Sequence, residues 1–247
     1  MSRKEDGKVN HKRGDEHSAR VDWELVERTL SSALLSRIYL FGPPGIGKTY
    51  VAYGAGRIQR GLYAVTLTQE TPAAELRGTY LPKGEELIWH DGPVVRAMKE
   101  GARLVLNELS HASDDALAFL HPVLESQETA RLTLPTGETL TPAAGFQVVV
   151  TDNCAPDALP PALQDRFDAL LEVTEPHPNA LARLSAPLRE AARRSFSLGD
   201  ERRVSVRAWL TLDRVRGELG LVDACTVVFG AERGSQIFDA LALAGVR

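Results

Sequence analysis

The segment Gly42-Pro-Pro-Gly-Ile-Gly-Lys-Thr49 has the spacing G-x-x-x-x-G-K-[ST]. Its chemistry follows from the residue types. Glycines let successive backbone N–H groups turn inward around phosphate oxygens, and a helix opening at the end of the segment points its N-terminus at that charge. Lys48 is placed to reach the β- and γ-phosphates of a nucleoside triphosphate, and the Thr49 hydroxyl to ligate Mg²⁺. A second candidate group ends the run Arg103-Leu-Val-Leu-Asn-Glu108. When a phosphoryl group is transferred to water, a carboxylate beside the phosphates polarises the attacking water, and Glu108 is suited to that role. The position before it ordinarily holds an Asp that binds the Mg²⁺ shell, and here it is Asn107. An amide keeps one acceptor oxygen, loses the charge and adds a donor. Attraction for a divalent ion should therefore fall. Either hydrolysis persists at reduced Mg²⁺ affinity, through Thr49 and the phosphates, or the chain binds ATP with little turnover; the retained Glu108 favours the first. A third run, Phe146-Gln-Val-Val-Val-Thr-Asp-Asn153, ends in an amide that can hydrogen-bond a γ-phosphate or the attacking water, which makes Asn153 a candidate.

These groups act together only if a scaffold gathers them. Ile38-Tyr-Leu-Phe41 is a short apolar run ended by a Gly/Pro turn, as a buried strand would be. Further strands are expected over 64–68, 103–107, 146–151 and 170–173. Helices are expected over 21–35, 49–59, 94–100 and 114–125, from apolar residues at helical spacing. Strands alternating with helices imply βαβ units: an α/β fold with a P-loop core, whose central parallel sheet is covered on both faces. Glu175-Pro-His-Pro178 interrupts this pattern. Beyond it helices are expected over 180–194, 205–218 and 232–244. The expected division is a disordered polar tail at 1–20, an α/β nucleotide-binding core at 21–175 and a small helical lid at 176–247.

Composition excludes several other classes. The 247 residues are 43% hydrophobic and 25% charged, as in an ordinary globular protein, and the net charge of −4 gives no global signal for nucleic acid. Two cysteines, Cys154 and Cys225, make neither a disulfide framework nor a zinc site. The polar first twenty residues lack the apolar stretch of a signal peptide, and no apolar run is long enough to span a bilayer. A cytoplasmic location is the expectation. His11 and His17 read as part of a solvated tail rather than a metal site.

With these motifs in place, the sequence resembles the AAA+ ATPases, and among them the MoxR-like and CbbQ/NorQ-like group. The resemblance runs from about Val21 to Val173 and is looser beyond. Gly42–Thr49, Leu104–Glu108 and Asn153 resemble the family's Walker A, Walker B and sensor 1 motifs. The stretches 67–78 and 89–94 are similar to segments that connect these motifs in the MoxR group. The resemblance implies an insertion at 80–90 and a hairpin at 132–141. It implies ATP and Mg²⁺ as ligands, with Gly42, Pro43, Pro44, Gly45, Ile46, Gly47, Lys48, Thr49 and Tyr50 around the nucleotide and Thr49 and Asn107 at the metal. Leu159-Pro-Pro-Ala-Leu-Gln-Asp-Arg-Phe167 is similar to the arginine-finger segment, so Arg166 would enter a neighbouring subunit's site. On residue chemistry alone, a surface Arg166 paired with Asp165 or Asp168 is the competing reading. Ser205-Val-Arg207 resembles the Ser-Pro-Arg of sensor 2, with Val206 in place of proline, so Arg207 would touch the nucleotide from the lid.

What the resemblance implies is a homo-oligomeric ring, a hexamer by analogy, that remodels or activates a protein partner or helps insert a metal cofactor. A von Willebrand A-domain protein is an implied associate. The alternatives are a nucleotide-binding regulatory subunit with weak hydrolysis, motivated by Asn107, and a DNA-processing motor, which the acidic balance disfavours. A small-molecule kinase would need neither Arg166 nor a lid arginine.

Overall fold

The computed structural model describes residues 21–196 and 203–246, and the tail expected at 1–20 lies outside them. The chain runs α1 (Trp23–Ser31), β1 (Arg37–Phe41), α2 (Lys48–Gly54), β2 (Leu62–Thr66), α3 (Ala73–Arg77), β3 (Gly78–Lys83), β4 (Glu86–Asp91), α4 (Pro93–Glu100) and β5 (Arg103–Asn107). It continues through α5 (Asp114–Val123), β6 (Leu132–Thr133), β7 (Thr139–Leu140), β8 (Gln147–Asp152), α6 (Pro161–Gln164) and β9 (Ala169–Glu172). Five helices follow: α7 (Pro178–Ala182), α8 (Ala186–Phe196), α9 (Val206–Leu219), α10 (Leu221–Phe229) and α11 (Ala231–Leu243).

Five strands form one parallel sheet in the order β2-β5-β8-β1-β9. The strand period of two sends alternate residues to opposite faces. Tyr39, Leu104, Leu106, Val148 and Val150 meet Val94, Val95 and Met98 of α4 and Leu120 of α5 on one side. Ile38, Leu40, Val105 and Val149 meet Val26 and Leu30 of α1 and Val51 and Ala52 of α2 on the other. Covering both faces is what makes β1, β5 and β8 read as continuous apolar runs. The C-terminal helices pack on themselves through Leu184, Leu188, Trp209, Leu212, Cys225 and Leu241. No helix among the described residues is long and apolar enough to cross a membrane.

Several expected elements shift, each for a local reason. Helix α2 stops at Gly54 and does not reach Gln59. Gly56 follows at φ +78°, where a Cβ would lie 2.5 Å from the Leu30 carbonyl oxygen, so the chain turns away there. The helix expected over 180–194 is split into α7 and α8 around Ser185, whose N–H and hydroxyl both donate to the Asp213 carboxylate. Helix α10 was missed because its sequence is almost wholly apolar and lacks a polar stripe; Gly220 and Gly230, at φ +77° and +82°, delimit it. Strand β2 lies at 62–66, on the sheet edge and partly exposed. Residues 78–91 form an antiparallel hairpin, and β6 and β7 pair as the hairpin expected at 132–141. The Lys99 ammonium joins the two hairpins, 2.9 Å from Asp91 and 3.0 Å from Glu138.

A buried guanidinium ties the layers together at the opposite end of the sheet from the phosphate loop. Arg103, 2% exposed, donates to the Gln147 side-chain oxygen at 2.8 Å and to the carbonyls of Ala52, Ala55 and Leu30. Gln147 in turn donates to the Leu30 and Leu35 carbonyls. Among the described residues no carboxylate lies within ion-pair distance of it. Burial alone pulls the guanidinium down to about 10, so it stays charged at neutral pH. Neutral oxygens, the carbonyls at the ends of α1 and α2 and the Gln147 side-chain oxygen, therefore solvate this cation. Arg103→Leu removes the guanidinium donor from the Ala52 and Ala55 carbonyls and the Gln147 side-chain oxygen and should cost about 3 kcal/mol or more. Chemical denaturation of the two proteins measures the difference.

Candidate functional site

The phosphate loop joins β1 to α2 and is closely backed. Gly42, Gly45 and Gly47 have φ of +142°, +74° and +116°, a region other residues rarely adopt. A Cβ on Gly47 would lie 2.8 Å from the His177 Cβ, and one on Gly45 would lie 2.6 Å from the Ser205 Cβ. The C-terminal helices thus press against the loop at two points. His177 is buried; its N–H donates to the Ile46 carbonyl at 2.8 Å, and its Nδ1 accepts from the Asn179 N–H to cap α7. Trp23 and Tyr50 meet its ring edge-on, with centroids 4.9 and 5.4 Å away. In the sequence this histidine marked only a Pro-flanked break.

Three candidate side chains converge at the carboxyl ends of the strands. The Lys48 ammonium donates to the Gly42 and Pro43 carbonyls at 2.8 and 2.7 Å and to the Asn153 side-chain oxygen at 3.0 Å. The Asn153 amide donates to both Glu108 oxygens, at 3.0 and 3.1 Å. Lysine, amide and carboxylate form one chain. Glu108 is the one non-glycine residue with positive φ among the described residues, at φ 59° and ψ 47°. That conformation costs of the order of 1 kcal/mol and turns the chain sharply out of β5. Desolvation, partly opposed by the charges of Glu108 and Asp152, lowers Lys48 to about 8. Asp152 is fully buried and accepts from the Ser110 N–H, the Ser110 hydroxyl and the Cys154 N–H, which fixes the loop carrying Asn153.

A cavity of about 1210 Å³ opens beside the loop, lined by Pro44, Gly45, Gly47, Lys48, Thr49, Tyr50, Glu108, Asn153 and Arg207. Ile46 is buried in the core, where its carbonyl accepts from the His177 N–H, and it does not line the cavity. Gly42 and Pro43 line a second cavity, which shares Pro44 and Asn153 with the first. Asn107 lies behind Thr151, not at the cavity wall. Its amide NH₂ donates to the Val65 carbonyl at 3.3 Å and to the Tyr53 hydroxyl at 3.2 Å, so its oxygen faces Thr49 at 3.4 Å. Arg166 does not line the cavity. It pairs with Glu125 and donates to the Ala162 carbonyl at 2.9 Å. Neither Asp165 nor Asp168 is its partner, because Arg37 holds Asp168. Sequence reading missed Thr151, Asn179, Arg183 and Arg214 of this cavity. Arg207 and Arg214, seven residues apart on α9, share one helix face, and that spacing was the available signal.

The donor set suits a magnesium nucleotide better than a free metal. Among the described residues no three His, Cys, Asp or Glu side chains gather to hold a metal. The oxygens present are the neutral ones of Thr49, Asn107 and Thr151, with the Glu108 carboxylate nearby, and a hard ion held mainly by phosphate fits them.

A family model described as AAA domain (dynein-related subfamily) matches residues 37–167, from the first residue of β1 to the end of the Arg166 segment. The chain belongs to this family. Protein NorQ of Paracoccus denitrificans (strain Pd 1222) is 38% identical over 138 residues, covering 54% of this chain and 51% of NorQ. The denitrification regulatory protein NirQ of Pseudomonas aeruginosa is 36% identical over 152 residues, covering 60% and 57%. Protein CbbQ of Hydrogenophilus thermoluteolus is 32% identical over 115 residues, covering 46% and 43%. The match spans about half the length of these curated relatives. The chain is an AAA+ P-loop protein of this family, and over that domain it is similar to the MoxR-like proteins NorQ, NirQ and CbbQ.

The lowered Lys48 makes the pH dependence of nucleotide binding specific. Phosphate oxygens favour the ammonium, so the complex binds a proton that the free protein loses above about pH 8. ATP affinity should be level below that pH and fall by up to about tenfold per unit above it. Lys48→Arg should flatten the fall. Equilibrium titrations with a fluorescent ATP analogue from pH 6.5 to 9.5 measure both.

Proposed function

We propose that this MoxR-like chain binds and hydrolyses MgATP as one subunit of a homo-oligomeric ring, a hexamer by family analogy, and uses the cycle to remodel or activate a protein partner. The observation that carries this reading is the chain Lys48–Asn153–Glu108 at the mouth of the phosphate loop. Lys48 would leave its loop carbonyls for the β- and γ-phosphates. Asn153, released from Lys48, would orient the γ-phosphate or the water. Glu108 would accept the proton of the attacking water. Thr49 and Asn107 would hold Mg²⁺, which neutralises developing charge on the phosphates when bound.

Residues 21–175 act in this reading as the nucleotide core and 176–247 as a lid whose Arg207 meets the nucleotide. Arg166, half-buried and held at the surface by Glu125, would complete a neighbour's site. ATP then clamps core, lid and neighbour together, and hydrolysis releases them. The family's use of protein partners supports a protein client, metal-cofactor insertion being one form of that work, with a von Willebrand A-domain protein as a candidate associate in the cytoplasm. The two hairpins joined by Lys99 are the proposed client contacts. Asn107 supports a second reading, a regulatory subunit that holds nucleotide with weak hydrolysis.

Glu108→Gln should lower turnover by at least about 10²-fold while nucleotide binding persists. Arg166→Ala should lower turnover by about 10³-fold. Mixing the two variants should restore part of the activity, since an Arg166→Ala site can take its arginine from a Glu108→Gln neighbour. A steady-state phosphate-release assay reads these outcomes. Mg²⁺-dependent turnover absent from the assembled wild type would favour the regulatory reading, and no rescue on mixing would sink the role of Arg166 in trans.

A further inference from the structure

Three oxygens from three adjacent elements form a triangle beside the phosphate loop. The Thr151 hydroxyl donates to the Asn107 side-chain oxygen at 2.7 Å, and both lie 3.4 Å from the Thr49 hydroxyl. Thr151 and Asn107 are directly paired across β5 and β8. Thr151 is 3% exposed, yet it forms part of the cavity wall with Thr49, and Asn107 does not. The orientation of the amide is determined by its neighbours. The Val65 carbonyl can only accept, so the NH₂ must face it, and the oxygen must face Thr151 and Thr49.

We infer that Thr151 is a further residue of the magnesium–nucleotide site, supplying with Asn107 the pair of acceptor oxygens that a single carboxylate supplies where Asp stands. The inference rests on the MgATP reading above. An Asp offers two oxygens and a charge; an amide offers one oxygen and no charge. The Thr151 oxygen, 2.7 Å from that of Asn107, restores the second acceptor without restoring the charge. Its proton is directed at Asn107, which leaves its lone pairs available toward the cavity. Thr151 acts as a positioning residue for Asn107 and as an acceptor for a hydrated cation. Charge at this position then comes from the nucleotide, and metal affinity follows nucleotide occupancy.

The test compares equilibrium binding of a fluorescent non-hydrolysable ATP analogue in EDTA with binding in excess MgCl₂. For the full-length protein, the ratio of the two dissociation constants is the magnesium enhancement. Thr151→Val keeps the shape of the side chain and removes its oxygen. It should lower the enhancement about three- to tenfold, the size of one hydrogen bond, with affinity in EDTA unchanged. Thr151→Ser should retain the wild-type enhancement. In an Asn107→Asp background, which supplies both oxygens by itself, Thr151→Val should have less effect than in the wild type. Equal weakening in EDTA and in magnesium would show a purely structural hydroxyl and overturn the inference, as would full additivity with Asn107→Asp. Wild-type protein that binds no analogue in either buffer would overturn the MgATP reading as well.

Discussion

Parallel pairing of β5, β8 and β1 is the constraint on which the rest depends. Asn107 lies level with Thr151, Leu40 with Thr151, and Phe41 with Asp152. Three chain segments therefore leave the sheet side by side at the carboxyl ends of its strands. The loop after β1 leads to Lys48 at the start of α2, the turn after β5 carries Glu108, and the loop after β8 carries Asn153. None of these residues is close to the others in sequence. A shift of one register position in any ladder would also exchange the side chains packed on its two faces. The burial of both faces thus fixes the register, and the register fixes the distances at the site. Binding at the carboxyl ends of parallel strands is the usual outcome of this topology.

The site pairs rigidity with groups that satisfy one another. Asp152 is fully buried and holds the loops after β5 and β8. Glu108 bears an unfavourable backbone conformation at the point where its carboxylate meets Asn153. Lys48 has its hydrogen bonds filled by loop carbonyls and Asn153, so a ligand must exchange these contacts and cannot simply add its own. Exchange costs less than exposing a bare cation in a desolvated site, and it keeps the loop ordered beforehand.

Much of this was legible in the sequence because it has short-range signatures. The phosphate loop is a contiguous pattern, and β5 appears at 103–107 as expected. The amide and carboxylate at the ends of apolar runs point to a strand edge. What was not legible depends on contacts between distant segments. Arg103 reads as a strand-flanking charge, and only the fold brings it to Gln147 and the ends of α1 and α2. His177 is separated from Trp23 and Tyr50 by more than a hundred residues, yet it packs between them. Helix α10 has apolar residues all round, and a period cannot be read from a uniform run. Thr151 reads as a strand interior until its neighbour is known.

The contact of Gly45 with Ser205 and of Gly47 with His177 has a consequence for how such a chain can change. The clearance at each point is smaller than a methyl group. Loop and C-terminal helices cannot drift apart in composition without one displacing the other. A helical segment grafted from a relative would fit this core only if it brought equally slender backbone approaches at both places. The two parts of the chain can therefore be exchanged only as a matched pair.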